Sequence, residues 1–152
     1  MAEEFAITGY NLFIRLYEPN MIKTITKVIT SSEIQDSFNT PIEVIPAPGF
    51  GKFLNLIGIA CQVNFLTTPY DTVGCNTDLY YDVVLSGAIT GLTLEQPLQT
   101  PFEITEYLSH HFNAFFIPEN KPLIFFSKNA SPRNGDSSIT LYITYNIEEI
   151  EV

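Results

Sequence analysis

The chain has 152 residues, 45% of them apolar and only 16% charged, with 17 acidic against 7 basic side chains for a net charge of −10. That length fits one ordinary domain, with a core large enough to fold without a metal or a disulfide. The acidic surplus argues against nucleic acid and anionic membrane surfaces as partners, and the low charged share argues against a disordered chain.

Ile (18), Thr (15) and Val (7), with 12 Phe and 8 Tyr against seven Ala, suit pleated, half-buried surfaces and predict an all-β protein. Residues 1–20 differ from the rest. Ile7, Leu12, Phe13, Ile14, Leu16 and Tyr17 put large apolar side chains on both faces of any extended segment, so the stretch reads as a docking arm or peripheral strand. The start Met1–Phe5 has neither a basic nor an apolar leader region, so no secretory signal is expected and the chain reads as soluble.

Residues 22–30 predict a strand, followed by a short helical turn over 33–38 with Ser32 and Gln35 as a capping box. A brief strand at 42–45 ends in Pro46-Ala47-Pro48-Gly49-Phe50-Gly51, whose prolines and glycines make a turn. Residues 52–66 predict a long central strand, apolar on both faces and so covered on both sides. After a loop over 67–77, strands are expected at 78–85, 102–108, 112–117 and 122–126. Turns fall at 87–91 and 129–138, and Pro97 and Pro101 bracket another connection. Strict alternation of Ile139, Leu141, Ile143, Tyr145 and Ile147 with polar neighbours predicts a last strand with one buried face. The sum is a single antiparallel β-sandwich of jelly-roll type over residues 21–152, with one short helical turn.

Chemistry-bearing sets are sparse. Gly49-Phe50-Gly51-Lys52 lacks the full phosphate-loop spacing and precedes a strand, so it reads as a β-turn. His110 and His111 are adjacent and point to opposite faces of a strand, which leaves a polar turn or, on a symmetry axis, a shared ion. Glu103 with Glu106, and Asp71, Asp78 and Asp82, are conceivable carboxylate pairs whose separation nothing fixes. Tyr70, Tyr80, Tyr81 and Tyr107 form either a sugar-stacking platform or part of the core. Cys61 and Cys75 show no zinc spacing and are expected to stay unlinked, and the sequon Asn129-Ala130-Ser131 has no secretory context. No catalytic, cofactor or metal set is assigned.

The short helix at Ser31-Ser32-Glu33-Ile34, the run Asn39-Thr40-Pro41-Ile42-Glu43-Val44-Ile45-Pro46-Ala47-Pro48-Gly49-Phe50-Gly51-Lys52, and the closing strand after Gly135-Asp136 together resemble small virion proteins of tailed bacteriophages. Ser137-Ser138 stands where that pattern more often has Gly-Thr. The resemblance covers residues 24–147 and leaves the arm outside. It implies a jelly-roll subunit of a virion, of the head fibre, capsid decoration or vertex type found in crAss-like phages, with no catalytic residues. Such a protein is expected on the outer virion surface, made in the host cytoplasm. It is expected to be a homo-oligomer, most simply a trimer, touching other virion proteins. The alternative is a receptor- or glycan-binding module, reading host-surface glycan with loops 67–76 and 129–138.

Overall fold

The computed structural model describes residues 21–81, 94–108 and 118–150, the last three of the middle stretch as backbone only. The arm residues Ile7, Leu12, Phe13, Ile14, Leu16 and Tyr17 lie outside the described residues, as do the expected turn at 87–91, the strand at 112–117 and the end of the strand at 78–85.

In chain order the elements are β1 (Lys23–Ile29), α1 (Ser31–Asp36), β2 (Ile42–Ile45), β3 (Lys52–Asn64), β4 (Thr77–Tyr80), α2 (Glu95–Gln99), β5 (Ile104–Leu108), β6 (Leu123–Ser127) and β7 (Ser138–Glu149). They build two antiparallel sheets, ordered β1-β7-β3-β5 and β2-β6-β4, and the chain is an all-β sandwich. The pairings nest: β1 with β7, β2 with β6, β3 with β5.

Both sheets feed one core. Ile29, Leu54, Leu56, Ile59, Val63, Ile139, Leu141 and Ile143 come from the four-stranded sheet and meet Ile42, Val44, Ile45, Leu79, Leu123 and Phe125 from the other. The buried face of β7 is the one its alternation predicts, although Ile147 is only half-buried. Several buried polar groups pair with one another inside. The Tyr81 hydroxyl donates to the Leu54 carbonyl at 2.7 Å. The buried hydroxyls of Ser37, Ser127 and Thr77 form a chain with 2.7 Å spacings.

β3 corrects one expectation. It is central within its sheet, but its apolar residues are not spread over two covered faces. A β-bulge at Ile57 inserts one residue between the pairs Leu56–Tyr145 and Gly58–Thr144. Leu54 and Leu56 before it, and Ile59, Cys61 and Val63 after it, therefore share one buried face although their numbering changes parity. A second irregularity between Glu43 and Ile45 in β2 lets Ile42, Val44 and Ile45 all be buried.

There are two short helices among the described residues, not one. In α1 the N-cap is Thr30: its hydroxyl accepts from the Glu33 N–H, and the Thr30 N–H donates back to the Glu33 carboxylate at 2.8 Å. The capping box is thus Thr30/Glu33, not Ser32/Gln35, because β1 ends at Ile29 and leaves Thr30 extended at the helix entry. The second helix, α2, contains Pro97. Proline is tolerated there because first-turn N–H groups have no intrahelical acceptor to lose.

Candidate functional site

Two surfaces stand out. The first is the outer face of the four-stranded sheet. Registered across its strands are Thr24–Thr144–Gly58, Thr26–Tyr142–Ala60 and Val28–Thr140–Gln62–Thr105, then Ser138 beside Asn64. No charged side chain stands at these positions, in a chain carrying 17 acidic and 7 basic residues. Short polar groups are cross-linked over it. Tyr142 donates to the Gln62 carboxamide at 3.1 Å, and Asn64 donates to Thr140 and Ser138 at 3.0 and 3.1 Å. Glu148, at one margin, accepts from both Asn55 and Asn146, and the Asn146 Oδ1 is buried without a hydrogen-bond partner.

The second surface is a groove of about 540 Å³ between the C-terminal end of α1 and the loop before β7, lined by Gln35, Phe38, Asn39, Asn129, Arg133 and Asn134 among others. Its walls are tied together. Gln35 donates to the Gly135 carbonyl at 2.6 Å, and the Phe38 N–H to Ser131 Oγ at 3.0 Å. The loops 67–76 and 129–138 also meet at this end of the sandwich. Asp71 and Arg133 exchange two backbone bonds of 2.9 Å, and the Asp136 carboxylate accepts from the Thr67 and Thr68 N–H groups and the Thr67 hydroxyl. Those bonds, the Thr67 hydroxyl foremost, hold the Asp136 carboxyl below the usual carboxylate range.

Most residues singled out in the sequence have structural occupations. Tyr70, Tyr80 and Tyr81 are buried, which overturns the stacking platform. Their hydroxyls bond the carbonyls of Ser137, Asn76 and Leu54, and burial raises all three phenols, that of Tyr80 to about 12. Only the backbone of Tyr107 is described. At Gly49–Lys52 the amides are turned on the chain itself. The Gly49 N–H donates to Asn120 and the Gly51 N–H to Glu119, with both glycines at positive φ. This is the corner where the chain passes from β2 in one sheet to β3 in the other.

The carboxylates are spent locally. Asp71 accepts from the Val73 N–H, Asp78 from the Leu79 N–H, and Glu103 from Gln62. Glu106 is described only as backbone, and Asp82, His110 and His111 lie outside the described residues. Cys61 and Cys75 are both buried and no disulfide joins them. Burial pushes the Cys75 thiol up, and nearby Glu95 and Asp71 add to the shift. Among the described residues no three His, Cys, Asp or Glu side chains gather as a metal site, and no helix is long and apolar enough to cross a membrane.

Sequence reasoning missed Gln35, Phe38 and Arg133 as one surface. Gln35 and Arg133 are nearly a hundred positions apart, and only the folded loop brings them together. Comparison with known proteins adds no assignment: no family model, no curated protein and no solved structure matches the chain.

Proposed function

We propose that the chain is a non-enzymatic structural subunit of a bacteriophage virion, docking on the particle from its outer surface and assembling with copies of itself. The observation that carries this reading is the run Asn39–Lys52, on which the resemblance to small virion proteins chiefly rests. In the fold its glycines and prolines form a sheet-to-sheet corner, as befits a scaffold signature, and not a ligand loop.

The nested pairing supports the jelly-roll part of the proposal. A chain folded once into a long hairpin pairs first strand with last, second with second-last and third with third-last, and rolling that hairpin up gives a jelly roll. The pairs β1·β7, β2·β6 and β3·β5 follow this rule. The outer sheet face gives copies of an acidic protein a place to meet without like charges opposed. Residues 1–20, with Ile7, Leu12, Phe13, Ile14, Leu16 and Tyr17, supply the apolar anchor to a neighbouring virion protein. Negative-stain imaging of virions labelled with antibody against this chain tests the reading. Regular decoration of head, vertex or tail supports it, and unlabelled particles from a producing culture refute it.

The second reading, a glycan-binding module, is favoured by the groove: loops 67–76 and 129–138 converge at one end of the sandwich beside a polar cleft.

A further inference from the structure

The groove beside α1 combines three features that a merely solvated loop does not need. Its walls are fixed before any ligand arrives, by the bonds Gln35 to Gly135 and Phe38 to Ser131, and by the Asp71–Arg133 bridge that pins the Arg133 backbone on both sides. An aromatic ring, Phe38, is left 43% exposed at its rim. Polar groups on the loop are unspent: the Arg133 guanidinium makes no ion pair or side-chain hydrogen bond among the described residues, and neither do the carboxamides of Asn129 and Asn134 make side-chain bonds. In a chain with ten more acidic than basic side chains, an arginine with no carboxylate of its own is the group that an external carboxylate fits. Screening at physiological ionic strength confines the repulsion of distant acids to about 8 Å, and the acid at the α1 wall, Asp36, has its carboxylate oxygens engaged by the Asn39 carboxamide and the Thr40 hydroxyl.

We infer that this groove binds a carboxylated saccharide. Arg133 pairs the carboxylate, Phe38 stacks on the C–H face of the ring, and the amide groups of Asn129 and Asn134 exchange hydrogen bonds with its hydroxyls. The volume of about 540 Å³ accommodates one or two sugar units. The inference rests on the glycan-binding reading, not on the virion reading, and it names the ligand class and the residues that select it.

The test is an NMR titration of the isotope-labelled full chain with an oligogalacturonate, its methyl ester, and sialyllactose, each to about 10 mM, a range that covers weak single-site affinities. At least one of the two acids is expected to shift the amides of 35–39 and 129–134, and the ester to bind about tenfold more weakly than its acid. Arg133→Gln should weaken the acid about tenfold. Asn134 stands at φ +63°, a conformation glycine adopts freely, so Asn134→Gly removes the carboxamide without strain and should weaken binding while the melting temperature holds or rises. Equal binding of acid and ester in the groove, or affinity unchanged in Arg133→Gln, overturns the inference. Shifts confined to loop 67–76 overturn the groove site while leaving the glycan reading standing. No binding of any probe removes both.

Discussion

At the residue scale, the Gly135-Asp136 pair shows how two adjacent side chains can be dictated by different neighbours. A Cβ built on Gly135 would lie 2.2 Å from Tyr70 Cγ, so the ring of a buried tyrosine occupies the space that any other residue would need. Tyr70 cannot yield easily, because its hydroxyl is bonded to the Ser137 carbonyl at 2.5 Å. Gly135→Ala is therefore expected to cost about 1–3 kcal/mol in chemical denaturation, the range of a forced overpacking; a loss below about 0.5 kcal/mol would show that the ring moves aside. Asp136 acts through charge. Its folded pKa is depressed, so its contribution is present above the ordinary carboxylate range and is lost as pH falls through the folded value. Glu33 is lowered in the same direction, first by the Thr30 backbone N–H. Asp136→Asn keeps an acceptor for Thr67 or Thr68 but cannot titrate. The denaturant midpoint of this variant should fall less steeply than that of the parent below about pH 4.5, and parallel curves would show that Asp136 does not set the acid limb. The raised phenols give the opposite limb: stability from neutral Tyr70, Tyr80 and Tyr81 is complete below about pH 10, and wanes as pH rises above it.

At the element scale, β3 carries the most information. Strict alternation would place Leu54 and Leu56 on one face and Ile59, Cys61 and Val63 on the other, and the extra residue Ile57 reconciles them. Deleting Ile57 should therefore leave a regular strand with the same buried face, so that variant is expected to fold with cooperative melting. Deleting Ala60 instead turns Cys61 and Val63 toward solvent, and that variant should unfold or aggregate. If both deletions behave alike, the bulge does not set the register. The same strand explains what was legible in the sequence. Strand existence followed from apolar runs between turn residues, and β7 was readable because its ten-residue alternation has no interruption. The two-sided character read into β3 was wrong because a bulge mimics a strand covered on both faces. The capping box was two residues off because Thr30 and Ser32 both begin a fitting four-residue pattern, and only the end of β1 decides between them. The helix over Glu95–Gln99 was hidden by Pro97, which usually marks a connection. The groove had no local signature, since its two walls are distant in sequence and joined by single side-chain bonds, from Gln35 and to Ser131, that no spacing announces.

At the scale of the whole molecule, the proposed self-assembly needs a surface on which acidic copies can meet. Edge-to-edge pairing through β1 is disfavoured: Lys23 and Lys27 stand at register positions opposite the inward residues Tyr145 and Leu141, and inward lysines on an edge strand resist a further strand. The outer face of the four-stranded sheet offers the contrary conditions. It is already cross-linked by its own side chains, and its charges stand at the margins, Glu148 beyond Asn146 and Glu103 beside Gln62, so two copies can approach over its centre with few like charges opposed. The proposed function therefore puts self-association on this face and attachment to the particle on residues 1–20. Burying three or four of the large apolar side chains of that arm is worth on the order of 5–10 kcal/mol before ordering costs, and several arms held by one oligomer act together. Two variants separate the roles. Thr26→Glu with Thr105→Glu places acids at exposed positions on opposite margins of the face. It should convert an oligomer, most simply a trimer by light scattering at about micromolar concentration, into a monomer that melts within a few degrees of the parent. Deleting residues 1–20 should leave both the melting temperature and the oligomer in place, yet abolish co-sedimentation with virions. A parent that is already monomeric contradicts the face assignment. A truncated chain that unfolds makes the arm part of the core, and one that becomes monomeric makes it the assembly element; either result removes its assignment as the particle anchor.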